Sequence, residues 1–199
     1  MKIRLLFTFA LLANVFIFPS DAFACACCAD AGFYSISSRK PASYELDELK
    51  RIQFKTASLF MNAAGEDNIK GINTIGENYT LNGLLQNNSW KFNFKDDAGK
   101  AGTLSLAKPL SILVFMADIH DKPNGRNGPL LYKEWRFKHR VQSGTGIFQT
   151  GIAPATEYFL VLQGRGNGCT RAEDFTHWRL EITGKRARYA FFGELKSAS

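Results

Sequence analysis

Three cysteines stand within four positions, Cys25, Cys27 and Cys28, and a fourth, Cys169, lies far downstream. Thiolates this close can share a soft ion such as Cu(I) or Zn(II), whose coordination takes several sulfurs. They can equally oxidise to disulfides, the default outcome in an oxidising compartment. Four cysteines allow three full pairings. A bridge between the neighbours Cys27 and Cys28 is strained, so one N-terminal cysteine is expected to join Cys169. Closing so long a loop contributes about 4–5 kcal/mol. Cys25 and Cys28 also have the Cys-x-x-Cys spacing of thiol exchange, but no helix clearly follows and no thioredoxin-like βαβ pattern exists. A third reading makes Cys25 the lipidated first residue of a bacterial lipoprotein; Ala22 and the polar Pro19-Ser20-Asp21 stretch speak against it.

The other candidate chemistry is sparser. Asp118, His120 and Asp121 follow an apolar run and enter a Pro/Gly-rich loop, a place where proteins often set catalytic or metal-binding groups. The same arrangement is also an ordinary solvated strand end. His139 shares a face with Trp135 and Phe137 and reads as a core histidine, whereas His177 falls on a polar face. Arg136, Lys138 and Arg140 line up on one side of a strand pattern and could hold an anion. Gly164-Arg165-Gly166-Asn167-Gly168 does not match a dinucleotide loop; its glycines are expected to supply positive φ in a turn that delivers Cys169, with Arg165 and Arg171 as flanking cations. Neither a Gly-x-Ser-x-Gly elbow nor a His-Glu-x-x-His pair is present. The sequence implies no particular cofactor.

The elements that must position these groups are mostly strands. Residues 45–52 fit a short amphipathic helix, with Leu46, Leu49 and Ile52 at three-residue spacing, but Ile52, Phe54 and Thr56 also alternate like a strand. Beyond about residue 67 the period is two. Tyr79 to Leu85, Trp90 to Phe94, and Leu104 with Leu106 form a three-strand meander with one wet face. Ile112 to Ala117 and Tyr158 to Leu162 are apolar on both faces and read as strands covered on both sides. Lys133, Trp135, Phe137, His139 and Val141 share one face of a further strand, and Trp178, Leu180 and Ile182 one face of another. Nine to eleven strands at this spacing predict an all-β antiparallel sandwich, with a barrel as second choice.

Composition bounds the setting. Residues 1–24 read as a secretory signal: Lys2 and Arg4, an apolar stretch from Leu5 to Phe18, and Ala22-Phe23-Ala24 as cleavage site. Residues 25–44 then form an irregular Cys-rich arm and 45–199 a single β-rich domain. The chain carries 25 basic and 18 acidic residues; without the signal these become 23 and 17, a net +6. That charge favours an anionic envelope polymer or an acidic protein as partner. The cations are scattered, so nucleic acid is not expected, and no later apolar run could span a membrane as a helix. The expectation is an exported protein, periplasmic or secreted, that binds or supports rather than catalyses. The alternatives are a copper- or zinc-binding protein using Cys25, Cys27 and Cys28, and an enzyme built around Asp118 and His120.

Overall fold

The long strand predicted around Trp135 organises the molecule. The structure, a computed structural model, describes residues 27–60, 69–73, 76–86, 89–121 and 128–197. The expected signal and Cys25 lie outside these residues, as does most of the 122–129 loop. In chain order the elements are β1 (Tyr34–Arg39), α1 (Ser43–Arg51), β2 (Ile52–Phe54), β3 (Thr56–Leu59), β4 (Asn78–Gln86), β5 (Ser89–Asp96), β6 (Ala101–Ala107), β7 (Ile112–Asp118), β8 (Leu131–Gly146), β9 (Glu157–Gly166), β10 (Phe175–Thr183) and β11 (Arg188–Ser197). A 3-10 turn, Ala172–Asp174, precedes β10.

All pairings are antiparallel. Eight strands follow one another as β8-β6-β5-β4-β3-β11-β10-β9, and β9 pairs back onto β8 to close a barrel. This is the second of the two architectures expected, not the sandwich. Closure follows from the length of β8, which has sixteen residues. Its last residues, Val141 to Gly146, pair with β6 through a bulge at Ser105/Leu106, while Leu131 to Arg140 pair with β9. One strand thus belongs to both meanders, and among the described residues no second sheet is left to stack. On the edge that β6 leaves, residues Leu131 to Arg136 pair with β7, and β7 carries β1. The two form a wing tangential to the barrel. The arm expected to be irregular therefore contains a strand.

An eight-stranded barrel is just wide enough inside for side chains. Here they are aromatic. Trp90, Phe92, Phe94, Trp135, Phe137, Phe148, Trp178 and Phe191 are all buried. Their rings meet edge-on or tilted, as Trp90 meets Phe137 at 5.1 Å and Phe94 meets Phe191 at 4.6 Å between centroids. The meander alternates as predicted, with Lys91, Asn93 and Lys95 outside.

Both readings of residues 45–56 hold in succession. The helix α1 begins where the Glu45 carboxylate accepts the Ala42 N–H at 2.8 Å and takes the Arg39 guanidinium as counterion. It ends at Ile52, whose extended backbone starts β2. Leu49 of α1 and Ala172 of the 3-10 turn are buried in the same core, and Glu48 accepts the Ala172 N–H at 2.6 Å.

Candidate functional site, an outer groove

Outward-facing positions on a barrel normally meet water, yet Val161 on the outer side of β9 is only 3% exposed. The cross-strand register explains why. Leu113, Arg136, Val161, Arg179, Phe192 and Ser58 form one row across β7, β8, β9, β10, β11 and β3. Val161 thus lies between two arginines in the cross-strand register, Arg136 and Arg179. Two strand spacings set those arginines about 10 Å apart. The next row runs Phe115, Glu134, Gln163, His177 and Glu194. From Arg136 and Glu134 onward, these two rows line a groove of about 960 Å³ whose walls also include Phe159.

The charges in the groove are held in place. Arg136 donates to Glu134, which also accepts the Tyr132 hydroxyl, and its guanidinium carbon sits 5.5 Å from the Phe115 ring centroid. Arg179 lies 3.3 Å from Glu181. Burial and the neighbouring Glu134 push the Tyr132 phenol well above its ordinary range, so it stays a donor at neutral pH.

The expected cationic stripe is therefore split. Arg136 belongs to the groove, Lys138 pairs with Glu157 at 2.9 Å, and Arg140 stands opposite Glu157 in the β8–β9 register. His177, expected on a polar face, is exposed on the groove wall. His139 is half-buried on the inner side of β8, opposite Tyr158.

Cys27 and Cys169 form a disulfide, with Cα atoms 4.8 Å apart. It fastens the N-terminal arm where β9 ends and β10 begins. Cys28 is exposed. With its sulfur bonded to Cys169, Cys27 offers no thiolate, and no group of three or more His, Cys, Asp or Glu residues that could hold a metal ion occurs among the described residues. The glycines before Cys169 serve close approach, not the positive φ expected of them. Gly164 and Gly166 lie in β9 with extended-side backbone, and a Cβ on either would collide with Asp174; Gly168 instead donates its N–H to the Cys27 carbonyl at 2.7 Å.

Asp118 and His120 meet, with the imidazole Nδ1 3.1 Å from the Asp118 carbonyl and Nε2 3.9 Å from its carboxylate, while Asp121 is engaged elsewhere. The Asp118 carboxylate accepts the backbone N–H groups of Gly32 and His120, both at 2.9 Å. These bonds hold its pKa below the usual carboxylate value. Asp121 turns to Arg165, whose guanidinium clasps it in two bonds and also reaches the Leu130 carbonyl. His120 is exposed at φ 54°. The three residues shape the turn after β7.

Two site features escape a reading by sequence. Lys133 follows the alternation onto the core face as predicted, but its partner Asp174 is 41 residues away. The groove's arginine pair comes from strands β8 and β10, and only their register unites it. The apolar outer faces of β7 and β9 were the available signal: the half-exposed Phe115, Phe159 and the covered Val161 are the same residues that made those strands look two-sided. No family model, curated protein or solved structure matches the chain.

Proposed function

We propose that this chain is an exported, non-catalytic binding protein whose outer groove takes an extended acidic segment of another protein. The observation that carries the reading is Val161, an apolar side chain nearly buried on the outer wall between Arg136 and Arg179. The packed aromatic interior leaves the outer wall as the concave surface for a ligand. Two arginines whose strands lie about 10 Å apart, with an apolar residue between them in the register, suit carboxylates alternating with apolar side chains. The half-exposed rings of Phe159 and Phe192 add the aromatic surface that protein interfaces favour. The net positive charge speeds the encounter with such a partner. Export rests on the signal-like first 24 residues and agrees with the Cys27–Cys169 disulfide, a bond that persists in oxidising compartments. Among the described residues no helix is long and apolar enough to cross a membrane.

The test is fluorescence anisotropy with a labelled peptide of alternating Glu and Leu, against its Gln-Leu counterpart. The reading expects saturable binding of the Glu peptide, weakening with salt, and its loss in the double variant Arg136→Ala/Arg179→Ala. Equal binding of both peptides, or binding that survives the double substitution, would sink it.

A further inference from the structure

The barrel removes sheet edges, but the wing restores one. Among the described residues β1 stands at the end of the strand order, paired with β7 alone. The phase of that pairing follows from one hydrogen bond: Asp118 N–H donates to the Phe33 carbonyl at 2.8 Å. In an antiparallel ladder, bonded pairs alternate with non-bonded ones. Ser35, Ser37 and Arg39 therefore direct their backbone groups at β7. Tyr34, Ile36 and Ser38 direct theirs outward from the sheet, three N–H and three C=O groups in a row.

Proteins usually guard such an edge with Lys, Pro, a bulge or a covering loop. Tyr34-Ser35-Ile36-Ser37-Ser38 has no Lys, no Pro and no register shift against β7. Its two large apolar side chains are open to solvent, Tyr34 at 64% and Ile36 at 52%. The one charge, Arg39, is already engaged by Glu45 on the inner side of the wing.

We propose that the β1 edge pairs, antiparallel, with the β1 edge of a second copy of this chain about a two-fold axis at Ile36. That register sets Ile36 opposite its own copy, Tyr34 opposite Ser38 and Phe33 opposite Arg39, so no like charges face each other. All three outward pairs become hydrogen-bonded pairs, six bonds in all by the ladder geometry. The interface is isologous, as closed dimers require. It brings Tyr34 and Ile36 of each copy together on the side that carries Phe115, so two outer walls join into one surface. The pairing does not rest on what the groove binds.

Sedimentation of the oxidised protein over a concentration series, with residue-resolved amide exchange, tests it. A monomer–dimer equilibrium is expected. The Tyr34, Ile36 and Ser38 amides should slow with rising concentration, while Ser35 and Ser37 stay protected throughout by β7. Ile36→Pro removes an outward N–H without touching the β7 ladder, and Ile36→Lys adds an edge charge. Both should lose the dimer and keep the fold. A protein that stays monomeric, a dimer whose β1 amides exchange unchanged, or variants that dimerise like the parent would overturn the proposal. Acidic-peptide binding in Ile36→Lys reports the groove separately.

Discussion

Lys133 Nζ lies 2.7 Å from Asp174 Oδ2 and 2.6 Å from the Cys169 carbonyl, at the barrel end that the disulfide closes. A buried ammonium needs a counterion, because removing one partner strands the other's charge away from water. Asp174→Asn is expected to cost about 3–5 kcal/mol in urea unfolding, whereas Lys133→Met should cost clearly less. Desolvation also holds the Lys133 pKa below its ordinary 10.5 despite Asp174. The unfolded chain then binds the extra proton in the window just below 10.5, so this group's contribution rises with pH there. The difference in stability between the parent and Lys133→Met, followed against alkaline pH, checks the sign.

Two buried tyrosines predict opposite outcomes from one substitution. The Tyr158 hydroxyl donates to the Ala107 carbonyl at 2.7 Å, while the Tyr189 hydroxyl is buried with no hydrogen-bond partner among the described residues. Tyr158→Phe is expected to lose about 1–2 kcal/mol, and Tyr189→Phe to be neutral or stabilising. Burial raises both phenols far above the ordinary 10. The unfolded chain ionises there first, so stability falls as pH rises beyond about 10. Phenolate absorbance should show both groups silent until the protein unfolds, and the fall should be shallower in either variant.

The alternation of Trp90, Phe92 and Phe94, or of Trp178, Leu180 and Ile182, makes strands legible in the sequence because a pleat sends alternate residues to one face. It does not say which strands are neighbours. The choice between sandwich and barrel turned on β8 pairing with both β6 and β9, a matter of register that local pattern does not carry. The groove shows the same limit. Two-sided apolarity at Phe159 and Val161 predicts an outer face covered by further structure. The register instead sets Arg136 and Arg179, residues 43 positions apart in the chain, on either side of Val161. The cysteines were the opposite case, since strain between neighbours and the isolation of Cys169 already pointed to a bridge from the arm.

That bridge should be felt mainly through the unfolded chain. Cys27 and Cys169 are 142 residues apart, so the disulfide removes much of the unfolded ensemble's freedom. The double variant Cys27→Ala/Cys169→Ala is expected to lose about 2–5 kcal/mol, with a larger denaturant dependence because its unfolded state is more expanded. Equilibrium denaturation of the two proteins side by side checks both quantities.

Asp118 makes a final prediction, at low pH. Its carboxylate ties the arm to β7 through Gly32 and shapes the next turn through the His120 N–H, and these bonds favour its charged form. A carboxylate whose folded pKa is depressed stabilises the fold above its unfolded value, and that contribution is lost as pH falls through the depressed one. Stability should therefore drop from about pH 4 downward, and Asp118→Asn should flatten that limb while lowering stability at neutral pH. His120→Gly separates the two contributions: glycine suits φ 54° and keeps the backbone N–H bond to Asp118 but removes the nearby imidazole, so it should shift the acid limb less than Asp118→Asn does. Melting temperatures of the three proteins from pH 2 to pH 7 decide the matter. An unchanged acid limb in Asp118→Asn would show that this carboxylate does not anchor the arm.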